Sequence, residues 1–85
     1  MGSSALVKVT TSQINIGIGQ LAGGEITTGA ANICIGYLAG RHGVNLTDGD
    51  NNLLLGSYTD TSATNTDGAN AIGYNVTGEG GYTTL

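Results

Sequence analysis

The feature that most constrains the fold of this chain is an internal repeat. Four apolar segments, each ending in glycine, follow one another through most of the 85 residues: NIGIG from Asn15, NICIG from Asn32, NLLLG from Asn52 and NAIG from Asn70. The closing glycines, Gly19, Gly36, Gly56 and Gly73, are 17, 20 and 17 residues apart. Repeats of this length predict one supersecondary unit each, stacked on its neighbours.

A second pattern recurs beside the first. The tripeptides TTG at Thr27, TDG at Thr47 and TDG at Thr66 each precede the next apolar segment. Ile, Leu and Val favour strands, the intervening Gly, Asn, Asp and Thr favour turns, and no stretch has helical periodicity. The sequence therefore predicts an all-β fold of short parallel β-solenoid-like coils.

Stacking such coils aligns equivalent residues in columns, and the sequence predicts three apolar ones. The first, predicted to be buried, contains Ile18, Ile35, Leu55 and Ile72; the second contains Ile16, Ile33 and Leu53 and is interrupted by Asn70; the third contains Leu21, Leu38 and Tyr58.

The middle position of each strand is also non-polar, which implies that both faces of the strand are buried. These middle residues are Gly17, Cys34, Leu54 and Ala71. Only 19 of the 85 residues are Ile, Leu or Val, a small core for a single chain, so oligomerisation is expected. The residues expected to form the core and the contact between identical chains are Ile16, Ile18, Ile33, Cys34, Ile35, Leu53, Leu54, Leu55 and Ile72.

Composition excludes several functional classes. The net charge is −4 and only Lys8 and Arg41 are basic, which is too little positive charge for nucleic-acid binding. The longest apolar run, Leu53 to Leu55, is far too short to span a membrane. One Cys and one His permit neither an internal disulfide nor a structural zinc site. No catalytic or phosphate-binding motif is present, so we expect no enzymatic activity and no cofactor.

The motif N-x-x-I-G between Gly/Asn/Thr turns resembles the head domain of trimeric autotransporter adhesins, and related repeats in bacteriophage fibres and spikes. The segments that carry the resemblance are Asn32 to Tyr37, Asn52 to Gly56 and Asn70 to Tyr74, within a similar region from residue 15 to 78. It implies a homotrimer, intertwined or side by side, of parallel β-coils along a threefold axis. The period here is longer and variable, and no anchor, stalk or signal peptide is seen, which favours a phage protein.

The resemblance and the chain length together predict a virion structural protein of a tailed phage. The expected role is a trimeric capsid decoration or cement protein on the virion surface, assembled in the host cytoplasm and bound to the major capsid protein or another virion protein. One alternative is a tail-fibre or adhesin segment, whose loops Arg41 to Leu46 and Asp60 to Asn65 bind a host surface glycan. The other is a monomeric ice-binding solenoid that displays the Thr27, Thr47 and Thr66 register.

Three local features could serve in metal binding, as a reactive thiol or in contact with a partner, but for each we prefer a purely structural interpretation. Asp48 and Asp50 flank a glycine and are weak candidates for Ca²⁺ binding, against a solvent-facing turn. Cys34 lacks a basic neighbour in sequence and is expected to be a small buried hydrophobe rather than a reactive thiol. Arg41 and His42 are expected in an exposed loop, with a contact to a partner carboxylate as the alternative.

The repeats divide the chain into three parts: an N-terminal strand or anchoring arm at 1–14, the repetitive region at 15–78, and a flexible tail at 79–85. Either end is a candidate arm that docks on another subunit or on the capsid by strand or apolar contacts. The residues expected to make that contact are Leu6, Val7, Val9, Tyr82 and Leu85.

Overall fold

The computed structural model describes residues 15–41, 43, 46–81 and 83–84. These residues contain only strands and turns, and none of them is helical. The all-β prediction is therefore confirmed for this part of the chain. The strands are β1 (Ile16–Ile18), β2 (Ile33–Ile35), β3 (Leu53–Leu55), β4 (Asp60–Thr61), β5 (Asn70–Ile72), β6 (Thr77–Gly78) and β7 (Thr83–Thr84).

The strands form two parallel sheets. Five of them make one sheet in the order β1-β2-β3-β5-β7, and β4 pairs with β6 in a second, two-stranded sheet. Its first four strands, β1, β2, β3 and β5, come from the four successive repeats, and β7 adds a fifth strand from the segment that follows them. No described helix is long and apolar enough to cross a membrane.

The register of the larger sheet confirms the predicted alignment of the repeats. Ile16 is opposite Ile33, which is opposite Leu53, which is opposite Asn70. The other two strand positions align in the same way, giving the columns Gly17, Cys34, Leu54, Ala71 and Ile18, Ile35, Leu55, Ile72.

The middle column faces the interior of the chain. Cys34, Leu54 and Ala71 have no exposed surface, and they pack with Ala22, Ile26, Ala39 and Leu46 in the hydrophobic core. Ile26 and Leu46 come from the turns between strands, and the sequence analysis did not identify them as core residues. Three of these seven core side chains are alanine, so the interior is narrow.

The outer columns correct one expectation. The column of Ile18, Ile35, Leu55 and Ile72 was predicted to be buried, but a strand can turn only one face inward, and here that face carries the smaller middle residues. Ile16, Ile18 and Leu55 are 45%, 43% and 38% exposed in the single chain. Burial of this column therefore requires a partner.

The third predicted column, Leu21, Leu38 and Tyr58, is aligned as expected but is only half-buried. The backbone NH of Leu38 donates to the carbonyl of Gln20, and that of Tyr58 donates to the carbonyl of Tyr37. All three residues lie in the left-handed region, with φ between 59° and 64°. The chain turns a corner at this position, and the residues that follow it, such as Ala22 and Ala39, enter the core instead.

The variable repeat length is explained at one corner. The backbone NH of Gly23 donates to the carbonyl of Ala39, and that of Gly40 donates to the carbonyl of Thr59, so Gly23 and Gly40 are at equivalent positions. The next buried residue is Ile26 after Gly23 but Leu46 after Gly40. The longer repeat thus places its three additional residues between Gly40 and Leu46 and leaves the strands in register.

The predicted threonine register is confirmed for Thr27 and Thr47 and is wrong for Thr66. The backbone NH of Thr27 donates to the carbonyl of Thr47, but that of Thr47 donates to the carbonyl of Thr64 rather than Thr66. Thr66 instead closes a turn. Its hydroxyl accepts from the backbone NH of Ala63 at 2.9 Å and donates to the backbone carbonyl of Ala63 at 3.0 Å. It is therefore 8% exposed and does not extend a surface row of threonines.

Near the C-terminal end, one further strand joins the larger sheet. Thr83 and Thr84, which fall in the predicted flexible tail, pair with Asn70 and Ala71 and add the last strand to the larger sheet. The predicted N-terminal arm and its contact residues Leu6, Val7 and Val9 lie outside the described residues, as do Tyr82 and Leu85.

Candidate functional site

The most distinctive surface of the chain is the outward side of the larger sheet, which we call the outer face. It consists of Ile16, Ile18, Ile33, Ile35, Leu53, Leu55, Asn70 and Ile72. Among these eight residues of β1, β2, β3 and β5, Asn70 is the only polar one, and none of the eight side chains carries a charge. Parallel in-register pairing produces this surface, because it places the same strand position of every repeat on the same side of the sheet.

The repeats can approach one another this closely because glycine follows each strand. Gly36 has φ +131°, and a Cβ atom there would lie 2.5 Å from the carbonyl carbon of Gly56. A Cβ atom on Gly56, at φ +127°, would collide with the carbonyl oxygen of Gly73. The glycine of the sequence motif thus sets the spacing between repeats and keeps the outer face continuous.

The asparagine of the motif forms a buried ladder between repeats. The Nδ2 of Asn32 donates to the carbonyl of Gly49 at 2.7 Å, and its Oδ1 accepts from the backbone NH and the Nδ2 of Asn52 at 3.0 and 2.9 Å. Asn52 repeats the arrangement, donating to the carbonyl of Thr66 at 2.6 Å and accepting from the NH of Ala69 at 2.8 Å. Asn32 and Asn52 are 0% and 2% exposed, so these bonds satisfy polar groups that water does not reach.

Asn15 begins this ladder and Ala69 ends it. Asn15 donates to the carbonyl of Gly29 and accepts from the NH of Asn32, at 2.9 and 3.0 Å. Ala69 occupies the fourth position, so Asn70 of the last motif lies one residue further on, in the strand. In the sequence these asparagines mark the start of each repeat. Their recurrence immediately before β1, β2 and β3 is the signal from which the ladder could have been predicted.

The two aspartates proposed as weak Ca²⁺ ligands have other partners. A carboxylate oxygen of Asp50 accepts from the backbone NH of Ala30 at 2.8 Å. In the next repeat, a carboxylate oxygen of Asp67 accepts from the backbone NH of Asp50, also at 2.8 Å. Asp48 is exposed and accepts from the hydroxyl of Thr47 at 3.2 Å. No cluster of three or more His, Cys, Asp or Glu side chains suited to a metal occurs among the described residues.

Arg41 and Gly43 both make contacts within the chain. The Nε of Arg41 donates to a carboxylate oxygen of Glu25 at 3.1 Å, so Arg41 pairs with a carboxylate of the preceding repeat in its own chain, not with the partner carboxylate that was the alternative to an exposed loop. Two residues later, the NH of Gly43 donates to Asp60 at 2.7 Å. Both side chains of the ion pair are partly shielded from solvent, and His42 lies outside the described residues.

Three tyrosines from consecutive repeats form a second ladder on the surface. The rings of Tyr37 and Tyr58, and those of Tyr58 and Tyr74, lie 5.5 Å apart between centroids and meet edge to face at 76° and 78°. We call these three residues the tyrosine ladder. Tyr37 is 41% exposed and Tyr74 is 71% exposed. Tyr58 belongs to the predicted third column, but its contacts with the other two rings are not evident from the spacing of the repeats.

Cys34 lies at the centre of the core, in the middle of β2. Burial disfavours the charged thiolate and raises the pKa of Cys34 from 9.0 to about 12. The prediction that Cys34 acts as a small buried hydrophobe agrees with this position.

Two measurements test the state of this thiol. In the native protein we expect Ellman's reagent to leave Cys34 unmodified at pH 8, whereas the denatured chain reacts within minutes, because the thiolate is the reactive species. An acid with a raised pKa in the folded state keeps its full contribution to stability below its unfolded pKa. That contribution falls as the pH rises from 9.0 towards about 12, by about 1.4 kcal/mol per pH unit.

The control for this prediction is Cys34→Ala. At neutral pH the variant is less stable because it leaves a cavity, and the additional fall in the free energy of unfolding above pH 9 should be absent. Identical pH profiles for the two proteins, or rapid native modification, would contradict the buried neutral thiol.

Comparison with known protein families, with curated proteins and with solved structures finds no match to this chain.

Proposed function

We propose that this chain is a non-enzymatic structural protein of a tailed-phage virion, a short parallel β-solenoid that assembles as a homotrimer. In this proposal it is a capsid decoration or cement protein on the virion surface, and it stabilises the head by contacting the major capsid protein. The observation that carries the proposal is the outer face, an uncharged apolar surface that the single chain leaves partly exposed.

The outer face supports self-association for a physical reason. Soluble proteins rarely leave a large contiguous apolar surface in water, and burying such a surface contributes about 25 cal/mol per Å². The interior of the single chain is small, since its largest fully buried apolar side chains are Ile26, Leu46 and Leu54. Contact between outer faces would therefore add apolar burial that the chain alone lacks.

A second copy of this chain is the partner that fits best. Its outer face has the same spacing between columns and the same lack of charge, so two such faces can interdigitate without burying an unpaired charge. The resemblance to trimeric adhesin heads and phage spikes supports three copies around an axis. The same resemblance supports a place on the virion.

The fibre or adhesin alternative has one observation in its favour. Ser62, Ala63, Thr64 and Asn65 are all exposed, although Asp60 and Thr61, which the alternative places in the same glycan-binding loop, form the buried strand β4. The ice-binding alternative is weakened because Thr66 is turned into its own repeat. A short row of Thr27, Thr47 and Thr64 remains in register.

The first test is the native mass in solution, measured by light scattering over a dilution series. The proposal predicts three times the 8.4 kDa of one chain. Leu55→Asp places a carboxylate in the outer face and should reduce the mass to that of one chain, because burying the charge costs more than the contact contributes. Thr64→Asp, at an exposed turn, is the matched control and should remain trimeric.

A folded monomer at every concentration would overturn the assembly. If the trimer is found, the decoration role is tested by adding it to undecorated phage capsids and measuring the temperature at which they rupture. An increase supports a cement protein. An unchanged temperature, together with binding of the protein to host cells, would favour the fibre alternative.

A further inference from the structure

We propose that the tyrosine ladder is a binding platform for a neutral saccharide. The site is formed by Tyr37, Tyr58 and Tyr74 within one chain, so it does not depend on the assembly proposed above. It is also distinct from the loops Arg41 to Leu46 and Asp60 to Asn65, which the fibre alternative assigns to glycan binding.

The register of the repeats explains how the ladder forms. The same backbone hydrogen bond joins each pair of successive repeats at this corner: the carbonyls of Gln20, Tyr37 and Ser57 accept from the amides of Leu38, Tyr58 and Asn75. Equivalent positions are therefore held by Gln20, Tyr37, Ser57 and Tyr74. Ser57 is small and leaves a gap between the two tyrosines. Tyr58, the next residue, has φ 60°, and its ring packs against both Tyr37 and Tyr74.

This packing makes the rings a preorganised surface. Each outer ring is in contact with Tyr58, and yet Tyr37 and Tyr74 remain 41% and 71% exposed. Tyrosine offers a large contact area with few rotatable bonds, and rings already held in place lose little further freedom on binding. A ligand with a flat, weakly polarised surface would gain from this arrangement.

The surroundings favour a neutral saccharide over other ligands. The C–H groups on the face of a sugar ring carry partial positive charge and stack on the negative face of an aromatic ring. Gln20 and Asn75 are exposed beside the ladder and offer amide groups to sugar hydroxyls. Arg41 is the only Lys or Arg in the described part of the chain, and its Nε already donates to Glu25, so an anionic ligand finds little attraction here.

The test is a titration of the native protein with three neutral probes: maltohexaose, cellohexaose and N-acetylchitohexaose. We expect at least one to bind with Kd of about 1 mM or tighter and to shift the ring signals of the ladder in ¹H–¹³C spectra. Tyr74→Ala should weaken that binding about tenfold, because it removes the most exposed ring. Tyr74→Phe keeps the ring and should change the affinity less than about threefold.

The proposal is overturned if none of the probes binds, or if Tyr74→Ala binds as well as the unmodified protein. Because Tyr74 is largely exposed, the alanine variant should keep its native circular dichroism, and Tyr37→Ala provides a second removal of a ring. If the three rings are inaccessible to every probe in the trimer but accessible in a monomeric variant, the tyrosine ladder is a contact between chains. That result would also overturn the saccharide proposal. Saccharide binding by a protein that light scattering shows to be monomeric at every concentration would support the ladder, and in that case the mass measurement alone would overturn the trimer.

Discussion

Gly56→Ala should abolish or severely destabilise the fold, lowering the free energy of unfolding by about 3 to 5 kcal/mol. Gly56 has φ +127°, where an L-residue is strained, and the added methyl group would collide with the backbone of Gly73. The obstacle is backbone rather than a movable side chain, so β3 and β5 must separate to accommodate it. Chemical denaturation followed by far-UV circular dichroism measures the loss.

The matched control is Gly81→Ala. Gly81 also has a positive φ, +79°, but nothing lies within 4 Å of the position that its Cβ would occupy. This variant should lose only about 1 kcal/mol, which is the cost of the backbone conformation. Equal losses for the two variants would show that φ alone, and not the close approach of the repeats, makes glycine necessary at position 56.

Asn52→Ala should lower the free energy of unfolding by about 3 kcal/mol. The substitution removes the side chain that accepts from the NH of Ala69 and donates to the carbonyl of Thr66. Both backbone groups then lose a partner at a position that is 2% exposed, and a buried polar group without a partner costs about 1 to 3 kcal/mol.

Asn65→Ala is the control for the ladder, because Asn65 is an exposed turn residue. It should change the stability by less than about 0.5 kcal/mol. Hydrogen exchange gives a second readout: the amide of Ala69 should exchange faster in Asn52→Ala, whereas that of Ile35 in the neighbouring repeat should be less affected. A loss below 1 kcal/mol for Asn52→Ala would show that the ladder contributes little.

The alignment of the strands could be predicted because apolar triplets and glycines recur together, and both must be in register when parallel repeats stack. Which side chains of each strand point into the core could not be predicted. Ile18 and Leu55 are more hydrophobic than Gly17 and Ala71, so hydrophobicity alone turns the strand the wrong way. The small residues lie inside because the space enclosed by one chain is narrow, a property of the folded chain rather than of any single strand.

The candidate sites likewise include one feature that the sequence predicts and one that it does not. The absence of charge on the outer face could be read from the segments themselves, but the tyrosine ladder could not, since Tyr58 is one position away from Tyr37 and Tyr74 in the repeat. Its ring reaches them only because Ser57 is small and the backbone of Tyr58 is left-handed. The position of Thr66 was mistaken for a similar reason, because its hydroxyl closes a local turn that the spacing does not reveal.

The three additional residues between Gly40 and Leu46 indicate where this architecture accepts new sequence. They leave both neighbouring strands paired, since β2 is bonded to β1 on one side and to β3 on the other without a break. The corner is closed by Gly43 and Asp60 rather than by the hydrophobic core. A foreign peptide inserted beside the exposed Gly43 is therefore expected at the surface, once per chain, and the proposed trimer would hold three copies of it at a fixed spacing.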